Sequence, residues 1–259
     1  NLDKVKIIDC SWHMPQTKRN GFDEYKVKHI ESAIFFDLDK NSKKNTDLPH
    51  MLPDNKSWKD IVSNMGIKND EQIVIYDNSD VISSCRCWYN FIYFGHNPEL
   101  VHVLDGGLKK WIEEDRATTS DIIKIIPSSY TVHEKKELVK DINQINKNVL
   151  ENKFNVIDAR SLERFEGKVP EPRKGLRSGS IKKSFCLPFS ELINQDHTFI
   201  SKEKIHEKFK STGYDIGKNI VFTCGSGVTA SVLALAYSLI DNKYMPTIYD
   251  GSWSEYGKN

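Results

Sequence analysis

Three segments of this 259-residue chain occur twice, in the same order. VKIID (Val5 to Asp9) is matched by FNVID (Phe154 to Asp158), IVIYD (Ile73 to Asp77) by IVFTC (Ile220 to Cys224), and LDGGLKKW (Leu104 to Trp111) by YDGSWSEY (Tyr249 to Tyr256). The offsets are 149, 147 and 145 residues. So small a drift marks two homologous units of about 110–130 residues, each of ordinary domain size. A solenoid needs more copies than two.

Each unit alternates short β-branched runs with helical patterns. In the first, Val5–Asp9, Ile73–Tyr76 and Val101–Leu104 are continuous apolar runs of strand length, separated by helix-like stretches that include Val81–Phe94 and Gly107–Glu114. In the second, the strands fall at Val156–Asp158, Ile220–Thr223 and Thr247–Tyr249. Runs without alternation are buried on both faces, and strands alternating with helices imply parallel sheets joined by right-handed crossovers. The expected fold class is α/β, two tandem domains, each a mainly parallel sheet flanked by helices. Residues 1–120 form the first domain and 137–259 the second; the polar segment 121–136, with Pro127, Ser128 and Ser129, reads as a linker leading into a polar helix near Glu137–Asn152.

Composition narrows the partners. The 37 Lys+Arg balance 36 Asp+Glu to a net charge of +1, without the basic tract of a nucleic-acid or membrane binder. The longest apolar stretch, Val228 to Ile240, is interrupted by Thr229, Ser231 and Ser238 and is shorter than the roughly 18–20 residues of a membrane span. The expectation is a soluble protein with small-molecule or protein partners, monomeric or weakly dimeric. Five cysteines, Cys10, Cys85, Cys87, Cys186 and Cys224, form neither an even disulfide framework nor a CxxC zinc pair, which favours a reducing compartment. The chain opens on Asn1 with no charged-then-apolar leader, so the expected location is cytoplasmic, or the mitochondrial matrix if a targeting segment was removed.

The repeats diverge where chemistry is expected. Ligands in open α/β sheets sit beyond the carboxyl ends of strands. There the first copy has Asp77, followed by NSDVISS, and the second has Cys224, followed by GSGVTASVLALAYSL. The six-residue loop CGSGVT runs straight into an apolar helix. A helix N-terminus carries unpaired N–H groups and partial positive charge, so a thiol in front of it is favoured as thiolate. Gly225 and Gly227 let consecutive amides turn toward one anionic sulfur and leave room for a second, so Gly225, Ser226, Gly227, Val228 and Thr229 are the expected persulfide cradle. The competing reading is a structural cysteine that ends a strand. Cysteine phosphatases use a similar loop with an arginine six residues beyond the nucleophile; here that position is Ala230, a poor fit to phosphoester cleavage that leaves phosphate or arsenate binding open.

CGSGVTA, the tandem repeat and the closing DGG and DGS segments together resemble two-domain rhodanese-type sulfurtransferases over essentially the whole chain. Within that family the CG-small-GVT loop, with Gly225 and Ser226, is similar to the 3-mercaptopyruvate group rather than the thiosulfate group, which carries basic residues after the cysteine. The resemblance makes the first domain noncatalytic and the second catalytic. It also implies that ARSLERFEGKVPEPRKG supplies two substrate arginines, Arg164 and Arg173, nine apart; one planar fork would bind an α-keto acid's carboxylate while the other polarises its carbonyl. The segment FFDLDKNSKKNTDLPHMLP resembles the family stretch whose aspartate and histidine reach toward the loop serine, which implies an Asp39, His50 and Ser226 arrangement for proton handling. Lys43, Lys44 and Asn45 depart from that pattern.

Other residues take structural readings. Cys85 and Cys87, two apart on a helix, diverge and make no compact metal pair. Cys10 and Cys186 are expected in the core, Trp111, Trp253 and Tyr256 as packing residues of the DGG and DGS units, and Lys174 and Arg177 on the surface. The implied activity moves sulfur from 3-mercaptopyruvate through a Cys224 persulfide to a thiol, thioredoxin or cyanide acceptor, with no metal or organic cofactor. Thiosulfate as donor is the nearest alternative, and a noncatalytic rhodanese-like binding module is the alternative of another class.

Overall fold

Strand β1 (Val5–Asp9) runs parallel to β2 (Ala33–Phe35) on one side and to β3 (Gln72–Tyr76) on the other, and β4 (Val101–Val103) extends the sheet beyond β3. The order is β2-β1-β3-β4. These are strands of the first of two compact units in the computed structural model, which describes residues 5–258. Helices α1 (Gly21–Val27), α2 (Asn55–Asn64), α3 (Ser84–Tyr93) and α4 (Gly107–Glu113) connect or follow the strands. Every residue of α3 is buried, the aromatic and apolar side chains together with the polar Ser84, Arg86 and Asn90. The unit comprises the chain through Lys44, Leu52–Lys135 and Gln195–Thr198.

The second unit comprises Asn45–Met51, Lys136–Asn194 and the chain from Phe199 onward. Its strands are β5 (Val139–Lys140), β6 (Asn155–Asp158), β7 (Phe185–Cys186), β8 (Ile220–Thr223) and β9 (Ile248–Tyr249), all parallel in the order β5-β9-β8-β6-β7. Its helices are α5 (Ile142–Glu151), α6 (Leu162–Phe165), α7 (Lys202–Ser211), α8 (Val228–Ser238) and α9 (Ser252–Tyr256). A core of Ile145, Val156, Ile181, Val221, Tyr249 and Trp253 lies against the sheet.

The repeat persists in individual hydrogen bonds. Asp9 Oδ1 accepts the N–H of Ser11 at 2.9 Å and Asp158 Oδ1 that of Arg160 at 2.9 Å. The carbonyl of Asp77 accepts from Leu108 N–H, and that of Cys224 from Trp253 N–H, each at 2.9 Å. Gly107 (φ 55°) and Ser252 (φ 49°) occupy the same left-handed station of the DGG and DGS turns. A Cβ at Gly107 would stand 2.4 Å from the Asp77 carbonyl oxygen. Ser252 is accommodated, with its hydroxyl donating to the Tyr249 carbonyl at 2.8 Å.

Three features depart from the sequence reading. The helix expected near Glu137–Asn152 starts later: Asp141 and Gln144 form a capping box that fixes its N-terminus, while Val139 and Lys140 pair with β9 instead. The two- and three-residue strands β2, β5 and β7 carry too little pattern to be seen. The segment read as a linker lies along the first unit, where Tyr130 is fully buried beside His96, Ser128 N–H donates to the Ser63 carbonyl and Lys135 N–H to that of Tyr93.

Candidate active site

β8 delivers Cys224 to the start of α8. Gly227, the residue capping that helix, sits at φ 79°, and no side chain caps it; no acidic residue lies in the first turn. The loop is fastened through its carbonyls. Cys224 C=O accepts from Trp253 N–H, and Gly225 C=O accepts from Ser254 N–H at 2.9 Å and Ser254 Oγ at 2.6 Å. Cys224 donates its own N–H to Ser252 Oγ at 3.2 Å. Among the described residues, the N–H groups of Gly225 and Ser226 donate to no protein acceptor. Amides left over at a helix start suit an anion. Cys224 itself is only 2% exposed.

The first unit closes the corresponding station with its own carboxylate. Asp77 Oδ1 accepts the N–H of Ser79 at 2.7 Å and Oδ2 that of Ser84 at 2.9 Å. Burial raises the Asp77 pKa, while bonds from Ser84 and Ser79 and the charge of Lys109 pull it back. The Asp77 carboxyl oxygens thus take backbone N–H groups at a helix start, an acceptor that the second unit lacks at its own.

Arg164 and Arg173 converge on the loop. A Cβ built on Gly225 would lie 3.3 Å from Arg164 Nη2 and 3.6 Å from Arg173 Nη1, so glycine admits both guanidinium groups. Arg173 Nη2 also makes a long donation, 3.5 Å, to Ser226 Oγ. Arg164 departs from the simple picture of a fork free for substrate: its Nε and Nη2 donate to Glu171 Oε1 and Oε2 at 3.1 and 2.6 Å. Nη1 and the second N–H of Nη2, the atom nearest Gly225, are the donors that Glu171 leaves over.

Glu171 and Arg160 are residues that sequence reasoning missed. Arg160, with a fully buried side chain, clasps Asp158 through Nε and Nη2 at 3.0 and 2.7 Å and reaches Glu171 with Nη1 at 2.8 Å. Burial works against the Arg160 charge, but the carboxylates of Asp158 and Glu171 outweigh it and raise the pKa. The Trp253 ring lies between the guanidinium groups of Arg160 (4.4 Å) and Arg177 (4.5 Å), so Arg177 is a stacked residue although exposed, and Lys174 is exposed. The available signal was the divergence of the repeat, Ser11 becoming Arg160 two residues after the paired aspartate.

His50 and Ser226 meet although 176 residues apart, His50 Nδ1 sharing a 2.9 Å hydrogen bond with Ser226 Oγ. His50 adopts φ 59° and is buried, and its segment belongs to the second unit. Asp39 belongs to the first unit, where its Oδ2 accepts from Trp12 Nε1 at 3.0 Å.

The other cysteines lie elsewhere. Cys10, Cys85 and Cys87 are fully buried, and burial pushes the Cys10 and Cys85 thiols up. Cys186 is half-buried rather than core, its thiol pushed up to about 12 chiefly by desolvation. Trp253 is a core residue, and Trp111 and Tyr256 pack against the cores of their units. Among the described residues, no group of three or more His, Cys, Asp or Glu could hold a metal ion, and no helix is long and apolar enough to cross a membrane.

Residues 1–114 and 135–259 each match the sequence profile of the Rhodanese-like domain. The chain belongs to the rhodanese-like family. Thiosulfate/3-mercaptopyruvate sulfurtransferase 1, mitochondrial, of Arabidopsis thaliana is 38% identical over 97% of this chain and 71% of that protein. The 3-mercaptopyruvate sulfurtransferase of Mus musculus is 35% identical over 97% of this chain and 84% of its own length. Among solved structures, the 3-mercaptopyruvate sulfurtransferase SseA of Escherichia coli superposes with a TM-score of 0.86 at 31% identity, covering 97% of this chain and 94% of that one. The two rhodanese-like repeats thus differ at the strand-to-helix station, a carboxylate in one and a thiol in the other.

Proposed function

We propose that this chain is a sulfurtransferase that takes sulfur from 3-mercaptopyruvate onto Cys224. The observation that carries the reading is the convergence of Arg164 and Arg173 on Gly225, beside Cys224 at an uncapped helix start. The Cys224 thiolate attacks the donor's sulfur. The new S–S bond forms as the C–S bond breaks, and its electron pair leaves on carbon as the pyruvate enolate, which takes up one proton to become pyruvate. The persulfide's charge is met by the amides of the 225–229 loop. Arg164 and Arg173 hold the carboxylate and carbonyl in attack geometry, an effect worth up to roughly 7–11 kcal/mol in ideal systems. Ser226, bonded to His50, is placed to pass the proton.

An acceptor thiolate, of a small thiol or a thioredoxin-like protein, then attacks the outer sulfur and returns Cys224 as thiolate; cyanide accepts in the same way. The first repeat is noncatalytic in this reading, because Asp77 stands where Cys224 would. The names of the Arabidopsis and mouse relatives support the donor class. Intact mass after exposure to 3-mercaptopyruvate tests the proposal: the wild type gains one sulfur atom, Cys224→Ser gains none, and an unlabelled wild type refutes it.

Thiosulfate is the second reading, favoured by the helix start and by the Arabidopsis relative's dual name. Comparing kcat/KM for the two donors decides, a large advantage for thiosulfate reversing the assignment. The chain is further read as a monomer or weak dimer in the cytoplasm, or in the mitochondrial matrix if a targeting segment was removed, checked by fractionation and by sedimentation.

A further inference from the structure

We propose that Glu171 is a positioning residue that sets donor preference, clamping Arg164 over Gly225 while cancelling its charge, so that the site favours a monoanionic α-keto thiol over dianionic thiosulfate. The inference rests on the sulfurtransferase reading above and assigns specificity within it.

The clamp is built from the sheet outward. Asp158, at the end of β6, holds Arg160 in a two-bonded fork, and Gly179 C=O accepts from Arg160 Nη2 at 2.8 Å. Trp253 stacks on the same guanidinium. Arg160 Nη1 then fixes Glu171 Oε1, and both Glu171 oxygens take the Nε and Nη2 edge of Arg164. The Glu171 side chain is 2% exposed, so solvent competes little for it. Apart from the Trp253 stack, every link is a charge-assisted hydrogen bond to a planar guanidinium, which fixes direction as well as distance.

The same chain sets the electrostatics. Asp158, Arg160, Glu171 and Arg164 carry two negative and two positive charges, so Arg164 brings directed N–H donors to the site without adding net positive charge. Donor geometry survives this cancellation, and attraction to bulk anionic charge does not. A dianion's energy responds to a change in site potential about twice as strongly as a monoanion's. Taking away the Glu171 charge therefore favours the dianion.

The test is Glu171→Gln, assayed with 3-mercaptopyruvate and with thiosulfate at low ionic strength. The expected result is that the thiosulfate to 3-mercaptopyruvate ratio of kcat/KM rises about tenfold, and that added salt reduces the rise. Loss of a structural prop alone lowers both donors together, so an unshifted ratio overturns the proposal. Glu171→Asp keeps the charge and shortens the reach: KM for 3-mercaptopyruvate rises while the ratio stays at the wild-type value, and a ratio that moves overturns the proposal. This second variant carries the test if the first does not fold. A wild-type chain that gains no sulfur from either donor refutes the sulfurtransferase reading itself, whereas an active wild type with an unshifted Glu171→Gln ratio refutes only the role of Glu171.

Discussion

Asp77 accepts the backbone N–H of Ser84 at 2.9 Å, filling with a side-chain carboxylate the kind of helix start that Cys224 meets uncapped. Removing that acceptor strands two buried N–H groups, of Ser79 and Ser84, at a cost of about 1–3 kcal/mol each before relaxation. Asp77→Ala is expected to lower unfolding stability by about 2 kcal/mol, and Asp77→Asn, which keeps one acceptor oxygen, by less. Urea unfolding of the two variants checks the order.

Gly225 is small because two guanidinium groups lie over it. Gly225→Ala puts a methyl 3.3 Å from Arg164 Nη2, and Glu171 keeps that group from moving away freely. We expect kcat/KM for 3-mercaptopyruvate to fall about tenfold or more, with the unfolding midpoint nearly unchanged. Steady-state kinetics with a denaturation curve on the same sample separates the two effects.

Ser226→Ala removes the hydroxyl that bonds to His50 and receives the long donation from Arg173. If that hydroxyl moves the proton to the enolate, kcat falls about a hundredfold or more, within the range for general acid–base groups. Stopped-flow release of pyruvate is the direct measurement. A decrease in kcat/KM with kcat preserved would assign Ser226 to binding alone.

Asp9 gives a pH signature of stability. Burial is the largest influence on its carboxyl and raises it from 3.8 to about 6, despite two bonds from Ser11. A folded-state value above the unfolded one means that protonation favours the folded chain. The contribution is full below about pH 3.8 and is lost as pH rises through about 6. Asp9→Asn, which carries no charge at any pH, should therefore gain on the wild type as pH rises from 3.5 to about 8, by at most about 3 kcal/mol. Tm against pH for both proteins measures the difference, and a flat difference refutes it.

The sequence by itself determined the duplication, the alternation of buried strands with helices and the thiol at the end of β8, because these depend on local periodicity and on residues adjacent in the chain. β1 and β8 fall on their expected segments, while α8 starts at Val228, directly after Gly227, so that the last two residues of the expected six-residue loop are its first turn. Spacing did not decide which side chains meet, although the family resemblance pointed to His50 with Ser226 and to Arg164 with Arg173; the folded chain decides it. His50 finds Ser226 across 176 residues, Glu171 takes one edge of Arg164 and leaves the other, and Arg160 is buried between Asp158, Glu171 and Trp253. Spacing places an arginine on a segment, but its charge is cancelled or left to act according to which carboxylates the folded chain brings within hydrogen-bond reach and how little water remains to screen them.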